Sequence, residues 1–110
     1  MNFNVIAVES FEKHLKRLSK KYNSLKTEIE QLSTSLENNP LQGEPLGKDC
    51  YKIRIYIASK GKGKQGGGRV VTCVKIVAGI VFLLALYDKS EKDNISDTEL
   101  DILLKLAGII

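Results

Sequence analysis

The sequence has no tryptophan, one methionine, one histidine, two prolines and two cysteines in 110 residues. Each scarcity closes off a class of protein. Cys50 and Cys73 match neither a C-x-x-C motif nor a metal-ligand spacing, and with one histidine a zinc site would need several carboxylates, so no metal or other cofactor is expected. A chain of this length can fold without disulfides, and the cysteine usage suits a reducing cytoplasm. No basic segment followed by an apolar stretch opens the chain, so no secretory leader is expected. The longest apolar run, over 76–87, has 12 residues, whereas a membrane span takes about 20. It reads as a core strand, and no membrane is expected as a partner. What remains is an ordinary globular composition, 43% hydrophobic and 27% charged, at a length that suits one domain over residues 1–110.

The charge is uneven. Eight basic residues (Lys48, Lys52, Arg54, Lys60, Lys62, Lys64, Arg69 and Lys75) stand against Asp49 alone in the window 48–75, a net +7. The other residues carry nine basic groups against twelve acids, a net −3. One basic surface is therefore expected, and a phosphate polymer is its natural partner. Lysines that merely keep a hairpin soluble are the plainer alternative for the loop; arginines inside strands favour the partner.

Residues 2–8 are β-branched and aromatic enough for a first strand, with Ser10 as the N-cap of a helix after it. From Phe11 the apolar positions 11, 15, 18, 22, 25, 29, 32 and 36 keep to one helical face. Tyr22-Asn23-Ser24 is weak in helix propensity, so a helical hairpin is preferred over one long helix or a coiled coil. Asn38-Asn39-Pro40 ends the second helix, and Gly43, Pro45 and Gly47 read as loop. From Tyr51 to Ile57 the odd positions are apolar, which puts Lys52, Arg54 and Tyr56 together on the other face of a strand. Arg69 to Val77 and Ile80 to Asp88 are the next strands, around a tight turn at Ala78-Gly79. The last strand, apolar on both faces, is expected at the centre of the sheet. Ser96 or Asp97 then caps a final helix with Leu100, Leu103, Leu104 and Ala107 inward and Gly108 near its end.

The expected fold is α+β: a mainly antiparallel four-stranded sheet in the order β-α-α-β-β-β-α. The helical hairpin covers one face, the C-terminal helix lies at the edge, and a basic surface lies opposite the hairpin. A two-residue turn at Ala78-Gly79 sets Arg69 opposite Asp88, and a three-residue loop sets it opposite Tyr87. The sequence permits both.

Residues 61–66 match G-x-G-x-x-G, but a strand rather than a helix comes next, which excludes the dinucleotide fingerprint. A protein-kinase glycine-rich loop fails too, since the chain is too short for a catalytic lobe. The segment reads as a flexible loop whose lysines can follow a phosphate backbone. His14 falls one position off the apolar stripe, and no role is assigned to it. Without a histidine or glutamate pair, cleavage of RNA would draw on other groups. Lys52 is a candidate base, Arg54 and Arg69 candidate phosphate holders, and Tyr87 or Lys89 a candidate acid.

Tyr51-Lys52-Ile53-Arg54, the Gly61 to Val71 stretch and the Tyr87-Asp88-Lys89-Ser90-Glu91-Lys92 run together resemble the RelE/HigB toxins of bacterial type II toxin-antitoxin systems. The resemblance extends over most of the chain, and its C-terminal helix is similar to the HigB-like branch. It implies a cytoplasmic, ribosome-dependent mRNA endoribonuclease with no cofactor, silenced by a cognate antitoxin of helix-turn-helix type. By position, the catalytic residues fall on Lys52, Arg54 and Arg69, with Tyr87 and Lys89 at the end of the last strand. Lys48, Lys60, Lys62, Lys64, Lys75 and Lys92 become RNA contacts. ParE-like gyrase inhibitors share the fold, so a toxin without nuclease activity, or an inactive RNA-binding relative, is the alternative reading.

Overall fold

The computed structural model describes residues 2–61 and 66–110. Its elements are β1 (Asn4–Ala7), α1 (Glu9–Ser19), α2 (Leu25–Asn38), β2 (Glu44–Gly47), β3 (Cys50–Ile55), a 3-10 turn (Ala58–Lys60), β4 (Gly68–Lys75), β5 (Ile80–Asp88) and α3 (Asp97–Leu106). The strands form one mixed sheet in the order β1-β5-β4-β3-β2. β1 runs parallel to β5, and the other neighbours are antiparallel.

The sheet therefore has five strands rather than four. The additional one, β2, lies in the stretch read as loop, because Pro45 and two glycines suppress a strand signal in sequence. At a sheet edge, however, a proline's missing N–H costs no ladder bond. Lys48 and Asp49, with φ of 57° and 65°, make the two-residue turn into β3. Two successive left-handed residues give the twist that a tight hairpin needs.

The helical break falls at Lys20 to Ser24, as the weak propensity there implied. Phe11, Leu18, Tyr22, Leu25, Ile29 and Leu36 pack on Ile53, Ile55, Val70, Val74, Val81, Leu83 and Leu86 of the sheet. Full burial of one such side chain contributes about 1.5–3 kcal/mol. Ser10 does not cap α1. Val8 takes that position, and the Ser10 hydroxyl instead donates to the Leu84 carbonyl at 2.6 Å.

α3 also departs from expectation. It packs on the second face of the sheet, where Leu100 and Leu104 join Cys50, Val71, Cys73, Leu84, Ala85 and Tyr87, rather than lying at the edge. A Ser96–Glu99 capping box starts it: the Ser96 hydroxyl accepts from the Glu99 amide, and the Glu99 carboxylate accepts from the Ser96 amide, each at 3.1 Å.

The turn between β4 and β5 has four residues, Ile76 to Gly79, in place of the two or three expected at Ala78-Gly79; Lys75 pairs with Ile80. The register then slips between Val71 and Thr72, with Val71 opposite Ala85 and Thr72 opposite Leu83. The bulge places Leu84 and Ala85 in the same cluster under α3, while Val81, Leu83 and Leu86 face the helical hairpin, so both faces of the strand are covered and both are apolar. Past it, Arg69 faces Tyr87.

Candidate functional site

The phase of the β3–β4 ladder is set by one bond, Val74 N–H to Asp49 C=O at 2.8 Å. It makes Cys50–Cys73, Lys52–Val71 and Arg54–Arg69 the non-hydrogen-bonded pairs, in which opposed side chains come closest. Arg54 and Arg69 thus stand as directly opposed like charges, an arrangement unfavourable for stability alone. Lys52 is two residues along the same face of β3, and Tyr87 of β5 is directly opposite Arg69. Lys52, Arg54, Arg69 and Tyr87, nominated from sequence, are brought together on the α3 side of the sheet.

The segment between β5 and α3 covers part of this face. Lys52 is 8% exposed; its Nζ donates to Asn94 Oδ1 at 3.0 Å and lies 3.6 Å from Glu44. Arg69 is 2% exposed, with Nη1 donating to the Gly68 carbonyl at 3.0 Å and Nη2 lying 3.6 Å from Asp93. Asp93 and Asn94, which no motif in the sequence singles out, sit against the two buried cations. Arg54 is exposed and borders a depression shared with Gln42, Glu44 and Lys52.

The Tyr87 hydroxyl is buried without a hydrogen-bond partner among the described residues. Burial pushes its pKa above the ordinary phenol value, Arg69 opposes that rise and Asp93 adds to it. The phenol is therefore neutral at pH 7 and can act as a proton donor. The ring lines a cleft with His14, Arg17, Glu91 and Lys92. Lys89, the next position but one, is half-buried.

The other nominated cations have different surroundings. Lys60 turns inward rather than toward a ligand: its Nζ lies 2.5 Å from the fully buried Asp88, whose other oxygen accepts from Tyr22 at 2.5 Å. The charge of Asp88 demands these partners in a dry environment. Lys48 pairs with Asp101 of α3, Lys92 with Glu99, and Lys75 with Asp49 at 3.1 Å toward the opposite end of β4 from Arg69. Lys62 and Lys64 lie outside the described residues.

His14 has a role after all. β1 pairs with β5 only as far as Leu83, and beyond that point no strand among the described residues covers the outer edge of β5. Ser10 and His14, one helical turn apart on α1, take its place: Ser10 bonds the Leu84 carbonyl and His14 Nδ1 accepts from the Leu86 amide at 3.2 Å. The i,i+4 spacing of two polar residues beside an apolar stripe was the available signal. Burial, then Arg17 and Lys92, hold the His14 pKa below its ordinary value, which keeps the accepting nitrogen free of a proton.

Known proteins share this arrangement of strands and helices. The structure is similar to a double arginine-to-alanine variant of the E. coli toxin RelE in the free state, with TM-score 0.62 and 16% identity over 98% of this chain and 96% of that one. The isolated E. coli RelE toxin matches with TM-score 0.48 and 20% identity over 94% of this chain and 98% of that one. No curated protein matches the sequence significantly. Residues 6–110 match the model for the RelE toxin of the RelE/RelB toxin-antitoxin system, and the chain belongs to this toxin family.

Proposed function

We propose that this toxin is a ribosome-dependent endoribonuclease that cleaves mRNA, and that Lys52, Arg54, Arg69 and Tyr87 carry the reaction. The observation that supports this most is the close pairing of Arg54 with Arg69, beside Lys52 and opposite Tyr87. Arginines at directly opposed positions of β3 and β4 suit an anion that both can reach in place of Asp93, and the dianionic phosphorane of RNA cleavage is such an anion. The 2′-hydroxyl attacks the adjacent phosphate; Lys52, once it has released its own ammonium proton to solvent, takes the hydroxyl's, the arginines hold the phosphate oxygens, and the neutral Tyr87 phenol or Lys89 protonates the leaving 5′-oxygen. Asp93 and Asn94 yield their places on Arg69 and Lys52 to the phosphate. Pre-positioning of the RNA by the ribosome supplies the orientation that lets such weak acids and bases suffice. The site of action is the cytoplasm, and the antitoxin that family membership implies is of helix-turn-helix type.

Primer extension on mRNA from a cell-free translation reaction tests this reading. Cuts in codon register that need both ribosomes and the arginines are expected, with Arg54→Ala and Arg69→Ala each lowering cleavage at least a hundredfold. Intact mRNA with normal translation would overturn it, and gyrase supercoiling would be assayed next.

A further inference from the structure

Cys50 and Cys73 take no part in the chemistry above, yet they are placed in relation to each other as few pairs of residues are. They are direct Cα partners in the β3–β4 register, in a non-hydrogen-bonded pair, the kind whose Cα atoms lie about 4.5 Å apart with side chains on one face. A disulfide accepts Cα separations from about 4.4 to 6.8 Å. Both thiols converge on a single acceptor, the Lys48 carbonyl, at 3.3 Å from Cys50 Sγ and 3.9 Å from Cys73 Sγ. The Cys50 side chain, helped by Lys75, holds the Cys73 pKa below the ordinary thiol value against burial and Asp49, while Cys73 and burial push that of Cys50 up. Both residues are almost fully covered, in the cluster to which α3 contributes Leu100 and Leu104.

We propose that Cys50 and Cys73 form an intramolecular disulfide on encounter with a peroxide. The Cys73 thiolate attacks one peroxide oxygen, the O–O bond breaks, and the departing oxygen leaves as water, which makes Cys73 a sulfenic acid. Cys50 then loses its proton, and its sulfur displaces the hydroxyl from Cys73 as a second water. Two thiols are oxidised and one peroxide is reduced to two waters. Leu100 and Leu104 shield the pair, so the reaction proceeds when α3 lifts, and its rate reports that opening. The link closes a covalent ring over 50–73, which contains Lys52, Arg54, Arg69 and the connection between their strands. It stabilises the toxin by restricting the unfolded chain. The chemistry is independent of any action on RNA.

The test is treatment of the purified protein with hydrogen peroxide, followed by intact mass, a non-reducing gel and a thermal melt. The expected product is a monomer lighter by two hydrogen atoms, with a Tm higher by on the order of 10 °C, and dithiothreitol reverses both changes. Cys50→Ser and Cys73→Ser proteins form no such product, and Leu104→Ala protein, with its cover thinned, oxidises several-fold faster. The inference is overturned if both thiols remain open to alkylation, if one sulfur gains oxygen without a disulfide, if chains link to one another, or if the disulfide leaves the Tm unchanged or lower.

Discussion

Arg69 stands opposite Tyr87 because the β4–β5 ladder slips by one residue between Val71 and Thr72. Side chains alternate along a strand, so one additional residue exchanges the faces of everything beyond it. Tyr87 thereby joins Arg69, Arg54 and Lys52 on the α3 side, and Asp88 turns to the helical hairpin, where Tyr22 and Lys60 meet it. A ladder without the slip would exchange the two, placing a carboxylate beside the arginines and a phenol beneath the helices.

Tyr87→Phe separates chemistry from stability. The hydroxyl has no hydrogen-bond partner among the described residues, so its removal breaks no bond and relieves the cost of an unsatisfied buried group. Urea denaturation is expected to show stability equal to or up to about 1 kcal/mol above the parent. Cleavage in the translation assay falls at least tenfold if the phenol is the acid, and is unchanged if Lys89 is.

Much of this arrangement was legible in the sequence, and the reasons differ by element. The period-two pattern from Tyr51 put Lys52 and Arg54 on one face, and the helical stripe from Phe11 supplied the layer behind the other. The pairing of Arg69 with Tyr87 remained one of two options because it depends on two compensating irregularities, a four-residue turn and a bulge, and neither has a composition of its own. β2 was hidden because Pro45 and its flanking glycines are loop residues everywhere except at a sheet edge. The covering of Lys52 and Arg69 by Asn94 and Asp93 is tertiary, and nothing local to either pair announces it.

Asp88 and Lys60 form a buried ion pair whose disruption leaves a charge in the core. Asp88→Asn is expected to lower stability by about 3–5 kcal/mol, since Lys60 then lacks its anion. Burial alone would raise the Asp88 pKa, but Lys60, Tyr22 and Ser90 together hold it well below the ordinary 3.8. A folded-state value below the unfolded one means stability that is complete above the unfolded pKa and is lost as pH falls through the folded one. The parent should therefore lose stability steadily below about pH 4, and Asp88→Asn should lose less over the same range. Urea midpoints from pH 6 to pH 2 measure both.

His14 gives a second pH signature in a different window. Its folded-state pKa lies below the ordinary 6.5, so the unfolded chain takes up its proton first as the solution is acidified. The contribution of the Leu86 bond is whole above pH 6.5 and declines as pH falls through the lowered folded value. His14→Ala orphans the Leu86 amide, with an expected cost of about 1–3 kcal/mol at pH 7.5, and flattens the pH dependence on the acid side of neutrality. Amide exchange at Leu86 should accelerate in the variant while exchange at Val70 keeps pace only with the global loss. Equal acceleration at both would mean that His14 supports the fold generally rather than the outer edge of β5.

Gly43 precedes β2 and Gly47 ends it, and they should respond differently to alanine. Both have positive φ, 99° and 85°, so each substitution carries backbone strain of about 1–2 kcal/mol. At Gly47 nothing lies within 4 Å of the added Cβ, and strain is the whole cost. At Gly43 the Cβ would sit 2.5 Å from the Lys52 carbonyl oxygen and 2.8 Å from Ile53 Cγ1. Backbone cannot give way there without moving the strand that carries Lys52 and Arg54. Gly43→Ala is thus expected to cost at least about 1 kcal/mol more than Gly47→Ala and to lower mRNA cleavage, whereas Gly47→Ala loses stability and keeps cleavage. Urea titration and primer extension on the two proteins side by side make the comparison. Equal effects from the two substitutions would show that β2 yields freely and that the position of Lys52 does not depend on it.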